Sequence, residues 1–274
     1  MLCESLGVSR AGYYEWRTRK TSKRRQEDDR IATHIKAIHS EYKQRYGSPR
    51  MTDELNANGV VVNRKRVERL MRERGLAAVF PQKLRVTTDS DHKRPIAPNL
   101  LEQKFHSSAR DQVWVGDITY IWTAEGWSYL AVLIDLYSRR IVGWSIGKTL
   151  SGNLAIRALL MAIRTRRPPR GLIQHTDRGS QYASNDYQKI LRNHGIIASM
   201  SGKGNCYDNA VAESFFASIK KELIHRMVFT SRSQAYRAVF GFIEAYYNVK
   251  RRQSSNGNLS PIQFENSHQL SIAA

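Results

Sequence analysis

Apolar positions recur at helical spacing over the first 80 residues and gather into short β-forming runs after residue 110. Ile31, Ile35 and Ile38 stand at i, i+4 and i+7, one face of a helix that Tyr46-Gly47-Ser48-Pro49 ends. Before it, residues 2–19 read as a short helical pair broken at Gly7, with Ser9 as a cap and Tyr13, Tyr14 and Trp16 as apolar bulk. Residues 20–30 read as a charged connector. Met51 and Leu55 share a further helical face, Asn58-Gly59 is a turn, and Asn63 suits the N-cap of another helix. In that helix Val67, Leu70 and Met71 form the apolar stripe, and Gly75 stops it. Residues 81–108 lose the periodicity and carry Pro81, Pro95 and Pro98, the composition of a linker.

Beyond the linker, VWVGDITYIW, WSYLAVLIDLYS and RRIVGWSI are β-rich runs joined by turns at Glu125-Gly126 and Ser138-Arg139, which predicts an antiparallel meander. A helix over Asn153–Arg166, a strand in GLIQHT, a helix over Asn185–Asn193, a strand in IIASMS and a helix to about Ile224 follow. The order βββ-α-β-α-β-α predicts a mixed sheet flanked by helices, an α/β architecture. A last helix over Ser233–Tyr247 leads into a basic, irregular tail. The expected organisation is an N-terminal helical segment (1–26), a helical domain (27–80), the linker (81–108), an α/β core (109–226) and a C-terminal helix with its tail (227–274).

Composition changes how these elements read. The 274 residues carry 44 Lys and Arg against 24 Asp and Glu, a net charge of +20 shared between the first 110 residues and the remainder. A folded chain this basic points to a polyanionic partner, nucleic acid first. Arg64, Lys65, Arg66, Arg69, Arg72 and Arg74 fill the face opposite the Val67 stripe. Helix, turn, basic helix is the layout of a helix-turn-helix DNA reader; a solvated helix of an ordinary bundle is the competing reading. No apolar run approaches the roughly 20 residues of a membrane helix. Cys3 and Cys206 make neither a disulfide framework nor a zinc-ligand spacing, and MLCESLGVSR has no signal pattern, so the expected compartment is the cytosol.

Three carboxylates stand in unusual places. Asp117 lies mid-strand in VGDITY, where Asp is disfavoured. Asp177 follows a strand in HTDRGSQY, and Glu213 sits in the first turns of a helix. Hydrogen-bonded structural acids are the bland alternative. Hard cations explain all three at once, because magnesium and manganese take carboxylate oxygens. Two such ions about 3.5–4 Å apart serve an in-line phosphoryl displacement.

Thirty-five residues separate Asp177 from Glu213. With Asp117 this resembles the D, D-35-E arrangement of retroviral integrases and insertion-sequence transposases. DITYIWTAEGWSYLAVLIDLYSRRIVGWSI, HTDRGSQYAS and SGKGNCYDNAVAESFFASIKKE resemble the integrase core of transposases of the IS-three type, the OrfB product. The helix-turn-helix part and YYNVKRRQSSNGNLSP are similar to it too, so the resemblance covers nearly the whole chain. It implies an RNase H-like core behind an all-α reader, and DNA cleavage and strand transfer with two Mg2+ or Mn2+ ions on Asp117, Asp177 and Glu213. It implies double-stranded DNA as partner, namely terminal inverted repeats and target, a homo-oligomer on that DNA, and nucleoid association. It also implies an upstream reading-frame partner or a fusion to one. The rival expectations are a DNA-binding regulator with an inactive core and a nuclease that only hydrolyses.

Around the three acids the expected roles differ. Asp208 reads as a helix-start residue, and Asn209, four residues before Glu213, as a group orienting its carboxylate. Lys220 lies two helical turns beyond Glu213, placed to meet DNA, although an intrahelical charge pattern is the alternative. Arg178, Lys203 and Asn205 are candidates for phosphate contact, as are Arg251 and Arg252 in the tail. Asp135 is expected to be structural, and His175 to be either a hydrogen-bonding neighbour of the site or a buried structural residue. Gln253 and Asn256 stand where the family pattern has His and Leu.

Overall fold

Polar caps set the helices of the N-terminal part. Ser9 accepts from the N–H of Gly12 and opens α2 (Arg10–Thr18), which follows the single turn α1 (Leu2–Ser5). Ser22 accepts from Arg25 and opens α3 (Lys23–Glu41), so the stretch expected to be a charged connector is helical. The cap decides this, since charged residues continue a helix readily once it is started. Tyr13, Tyr14 and Trp16, the apolar bulk of this segment, are exposed, with Tyr13 meeting the Tyr14 ring edge-on and the Trp16 ring at a tilt. The computed structural model describes residues 2–78, 95–202 and 209–272. The chain forms two compact units, residues 1–79 and residues 80–274.

In the first unit α3 packs with α4 (Ser48–Ala57) and α5 (Arg64–Glu73). Ile31, Ile35 and Ile38 meet Tyr46, Met51, Leu55, Val67 and Leu70 in a common buried core. Asn63 caps α5 through the N–H of Arg66 at 2.8 Å. Gly75, at φ +65°, ends it, and the N–H of Leu76 closes back on the Met71 carbonyl at 2.8 Å.

In the second unit β1 (Val113–Thr123), β2 (Gly126–Asp135) and β3 (Ile141–Gly147) form the antiparallel meander. The helix α6 (Gly152–Arg166) crosses over to β4 (Ile173–Thr176), and α7 (Asn185–Asn193) to β5 (Ile197–Met200). Strands β1, β4 and β5 are parallel, and the sheet order is β3-β2-β1-β4-β5. One face buries Trp114, Leu133 and Val142 against Leu159 and Ala162 of α6 and Tyr187 and Leu191 of α7. The approach of α6 to β3 is so close that a Cβ on Gly143 would lie 2.3 Å from the Ala158 carbonyl oxygen. After α8 (Ala210–Glu222) come α9 (Arg232–Phe240), which runs into a π-helical turn over Gly241–Tyr247, and α10 (Pro261–Ile272). The tail expected to be irregular thus ends in a helix.

That tail is fastened to the core. Glu265 of α10 takes two hydrogen bonds from Arg166 of α6, at 2.9 and 3.0 Å, and one from Arg140 at 2.7 Å. Asn256 donates to the Ser138 carbonyl at 2.7 Å, and Gln253 bridges to Leu259. Asp135 is fully buried beside this cluster and accepts from the Tyr137 N–H and the Ser138 hydroxyl. Burial and the charge of Asp111 push its carboxyl up to about 7, against the pull of the Tyr137 N–H and Arg166.

The folded chain therefore keeps a proton on Asp135 that the unfolded chain releases near pH 4. Stability falls as pH rises from about 4 through about 7. Glu265, held below its usual range although burial pushes it up, acts oppositely and loses its contribution only in acid. We expect wild type to lose a few kcal/mol relative to Asp135→Asn between pH 5 and pH 8, measured by urea unfolding. An unchanged difference between the two proteins across that range would mean that Asp135 ionises normally.

Candidate active site

Strands β1 and β4 pair in parallel with Gly116 opposite Thr176. The next residue on each strand's path is an aspartate: Asp117 continues within β1, paired across to Val132, and Asp177 follows the last residue of β4, the two strands being about 5 Å apart. Asp117 accepts the N–H of Ile118 at 2.7 Å, and Asp177 that of Gly179 at 2.9 Å. The turn is tight: a Cβ at Gly179 would sit 2.9 Å from the Asp177 carboxylate and 2.9 Å from the Gln181 side-chain oxygen. Glu213 projects from the first turns of α8, a helix that packs on β1 through its opposite side, where Phe215 and Ile219 are buried.

Electrostatics tie these groups together. Asp117 is half-buried by exposed area, yet protein packs closely around its carboxyl. Burial pushes that carboxyl well above the usual range, and the charge of Asp177 pushes it further. Glu213 adds a smaller push, while the Ile118 N–H and the Lys220 ammonium oppose. Glu213 itself is exposed and raised slightly by partial burial. Among the described residues no three His, Cys, Asp or Glu side chains close up enough to hold a metal ion. The pair Asp117–Asp177 is thus formed, and Glu213 stands within electrostatic reach of it.

Tyr182 was not singled out in the sequence. It is buried, its hydroxyl has no hydrogen-bond partner among the described residues, and its ring and the Asp177 carboxylate both abut Gly179. Burial first, then the charges of Asp117 and Asp177, hold its phenol above the usual range. Its only sequence signal is position, five residues after Asp177 in the same turn.

Several expected contacts are placed differently. His175 is fully buried, with Nδ1 2.9 Å from the Ser199 hydroxyl and Nε2 3.3 Å from that of Ser201. It ties β4 to the β5 end of the sheet, the structural one of its two readings. Asn209 does not hold Glu213: its buried amide makes no hydrogen bond to any described residue. Arg178 donates to the Ser201 carbonyl at 2.7 Å. Lys220 lies with its ammonium 5.2 Å from the Tyr120 ring centroid. Lys203, Asn205 and Asp208 lie outside the described residues.

Arg251, expected at the DNA, is buried and donates to Glu222 at 2.8 and 3.1 Å and to Ser218 at 2.9 Å. A guanidinium enclosed this way meets no phosphate. Arg252 donates to the Asn258 carbonyl within the tail. In the first unit Arg66 donates to Asp28 at 2.7 Å and Glu27 at 2.8 Å, and Arg69 to Asp28 at 2.8 Å and Glu73 at 2.9 Å. Burial pushes Asp28 up, but the hydrogen bonds from Arg69 and Arg66 outweigh it and hold the carboxyl below its usual range. The DNA contact expected of this basic helix is therefore corrected for Arg66 and Arg69, whose guanidinium groups are held by Glu27 and Asp28 of α3 and by Glu73 of α5 itself. Arg64 and Lys65, also at the start of α5, are exposed.

Residues 107–206 match the family of the integrase core domain, residues 213–269 a second integrase core family, and residues 26–83 an HTH-like domain. An uncharacterized 31 kDa protein of insertion element IS600 from Shigella sonnei is 45% identical over 98% of this chain and 99% of its own length. The transposase InsF for insertion sequence IS3A from Escherichia coli (strain K12) is 48% identical over 97% of this chain and 93% of its own. A chain of the simian T-cell lymphotropic virus intasome, solved with PP2A regulatory subunit B56 gamma, is 18% identical at a TM-score of 0.49, covering 84% of this chain and 74% of that one.

Proposed function

Because this chain belongs to the transposases of the IS3 type, with an HTH-like domain and an RNase H-like integrase core, we propose that Asp117, Asp177 and Glu213 are its catalytic carboxylates. The protein is a DNA transposase of the polynucleotidyl transferase class. The observation that carries the site is the β1–β4 register, which sets Asp117 and Asp177 side by side.

The donors fit a hard divalent cation. They are all oxygens, and the one nearby imidazole, His175, is committed to two serines. Asp117 and Asp177 would hold Mg2+ or Mn2+, with Glu213 completing a two-ion set. Bound there, such ions lower the pKa of an attacking water or DNA 3′-hydroxyl and stabilise the leaving oxygen. The chain's own part is to hold the two aspartates rigidly at a sheet end, to keep Glu213 on a helix beside them, and to bring the Lys220 ammonium to the incoming phosphate. Terminal inverted repeats, target DNA, a homo-oligomer on DNA and an upstream reading-frame partner belong to the same proposal.

The test is joining of a labelled DNA end to a target plasmid. Joined product that requires Mg2+ or Mn2+ supports the reading. Hydrolysis without joining would make the protein a nuclease, and DNA binding without turnover would make it a regulator.

The first unit supplies a separate expectation. Arg64→Ala and Lys65→Ala should each weaken binding to terminal-repeat DNA, by roughly 1–3 kcal/mol if the contact reads a base. Arg66→Ala should instead lower the melting temperature of the protein, because it removes the ion pairs that tie α5 to Asp28 and Glu27 of α3 and leaves only Arg69 on Asp28. Binding isotherms and thermal melts of the three variants separate the roles. A stable Arg66→Ala protein with selectively lost terminal binding would restore Arg66 as a base reader.

A further inference from the structure

Beyond the catalytic carboxylates, the second unit exposes three large aromatic side chains at one place. Tyr120, Trp122 and Trp127 are 39%, 57% and 44% exposed. Trp122 and Trp127 are directly opposite in the β1–β2 ladder, with ring centroids 4.9 Å apart, and Tyr120 lies 5.2 Å from Trp127. Cross-strand aromatic pairs stabilise a hairpin, but half-exposed indoles leave apolar faces in water, and Thr or Lys would serve the fold without that cost. The cluster therefore calls for an occupant.

Charge says what kind. The Lys220 ammonium sits 5.2 Å from the Tyr120 centroid, and its field reaches the Asp117 carboxyl three residues along β1. Arg232 lies at the other end of the cluster and donates from Nε to the Trp127 carbonyl at 3.3 Å. Glu125, at the hairpin tip, is engaged by the Arg232 backbone N–H at 2.9 Å. Aromatic faces interleaved with cations fit nucleic acid, whose phosphates meet the cations while bases stack on the rings. A second copy of this strongly basic chain would bring like charge to the same place.

Continuity narrows the form of the DNA. Asp117 and Tyr120 stand on opposite faces of β1, and Lys220 links them: its ammonium is at the Tyr120 ring and acts on the Asp117 carboxyl, so DNA held by Lys220 beside the carboxylates comes within reach of the rings. Bases inside a duplex already stack on one another, so only unpaired bases can offer a face to the rings. We propose that Tyr120, Trp122 and Trp127 form a stacking platform for unpaired bases of a DNA end, beside the site of strand cleavage. This rests on the transposase reading above.

The test is fluorescence anisotropy of the full-length protein in EDTA, with a labelled blunt duplex and the same duplex carrying a short unpaired end. Binding without metal keeps the platform separate from turnover. Trp122→Ala should bind the unpaired-end DNA about tenfold more weakly than wild type, with blunt-duplex affinity within about twofold. Trp122→Phe, which keeps a ring, should recover most of the loss. Equal affinities of Trp122→Ala and wild type for the unpaired end would overturn the platform, as would an equal loss on both duplexes. A change of sedimentation with DNA affinity untouched would reassign the face to contact between copies. Wild type that binds neither DNA would sink the transposase reading itself.

Discussion

Asp177→Asn lowers metal-dependent cleavage and joining by at least about a thousandfold while DNA affinity stays within about twofold of wild type. Metal ions contribute several kcal/mol of charge stabilisation to a phosphoryl transition state, and each 1.4 kcal/mol is about a factor of ten in rate. Asparagine keeps the shape of the residue, so the turn in which Asp177 accepts the Gly179 N–H persists. Loss of a negative charge cannot weaken attraction for a polyanion. Asp117→Asn and Glu213→Gln should behave alike. The measurement is a joining assay in Mg2+ run beside a binding isotherm for each variant. A variant that joins DNA at the wild-type rate removes its residue from the set of metal ligands.

Arg251→Met lowers the stability of the second unit by about 3–5 kcal/mol, the usual cost of stranding one partner of a buried ion pair. Arg251 and Glu222 are both buried, Tyr246 donates to the same carboxylate at 3.0 Å, and the Arg251 guanidinium lies 5.5 Å from the Tyr247 ring centroid. Methionine fills much of the volume, so the loss comes from removing the guanidinium that neutralises the buried Glu222 carboxylate. Arg251→Met combined with Glu222→Leu should regain most of it, because an apolar pair of similar size often replaces a buried ion pair at little cost. Urea unfolding of the single and double variants measures both steps. A stable single variant that has lost DNA affinity would return Arg251 to the DNA interface.

How much of this was legible depends on how far apart the interacting residues lie in the chain. The helical faces of Ile31, Ile35 and Ile38 and of Val67, Leu70 and Met71 were readable because their partners recur within one or two turns. The Asn63 cap and the Gly75 stop were readable because each is a local bond. The start of α3 was misread because charged residues between Ser22 and Ile31 carry no apolar period, although they lie in the helix. The helix α10 was missed for a related reason: its anchors lie far off in the chain, and the partner of Glu265, Arg166, is 99 positions away.

The sequence by itself determined the meander and alternating layers, the basic charge, and the three odd carboxylates with the spacing that singles them out. Those are properties of single positions or near neighbours, and strand and helix periods expose them. Tertiary structure alone decided which charges are spent inside the protein. Arg66 and Asp28 are 38 positions apart and Arg251 and Glu222 are 29 apart, so no local pattern distinguishes these arginines from Arg64, which is exposed. It also decided that Asp117 and Asp177 emerge on neighbouring strands, and that Tyr120, Trp122 and Trp127 stay at the surface near Lys220. The physical reason is that an ionised or aromatic side chain takes its role from whatever desolvates it and whatever charge lies within a few ångströms, and chain folding, not chain order, sets both.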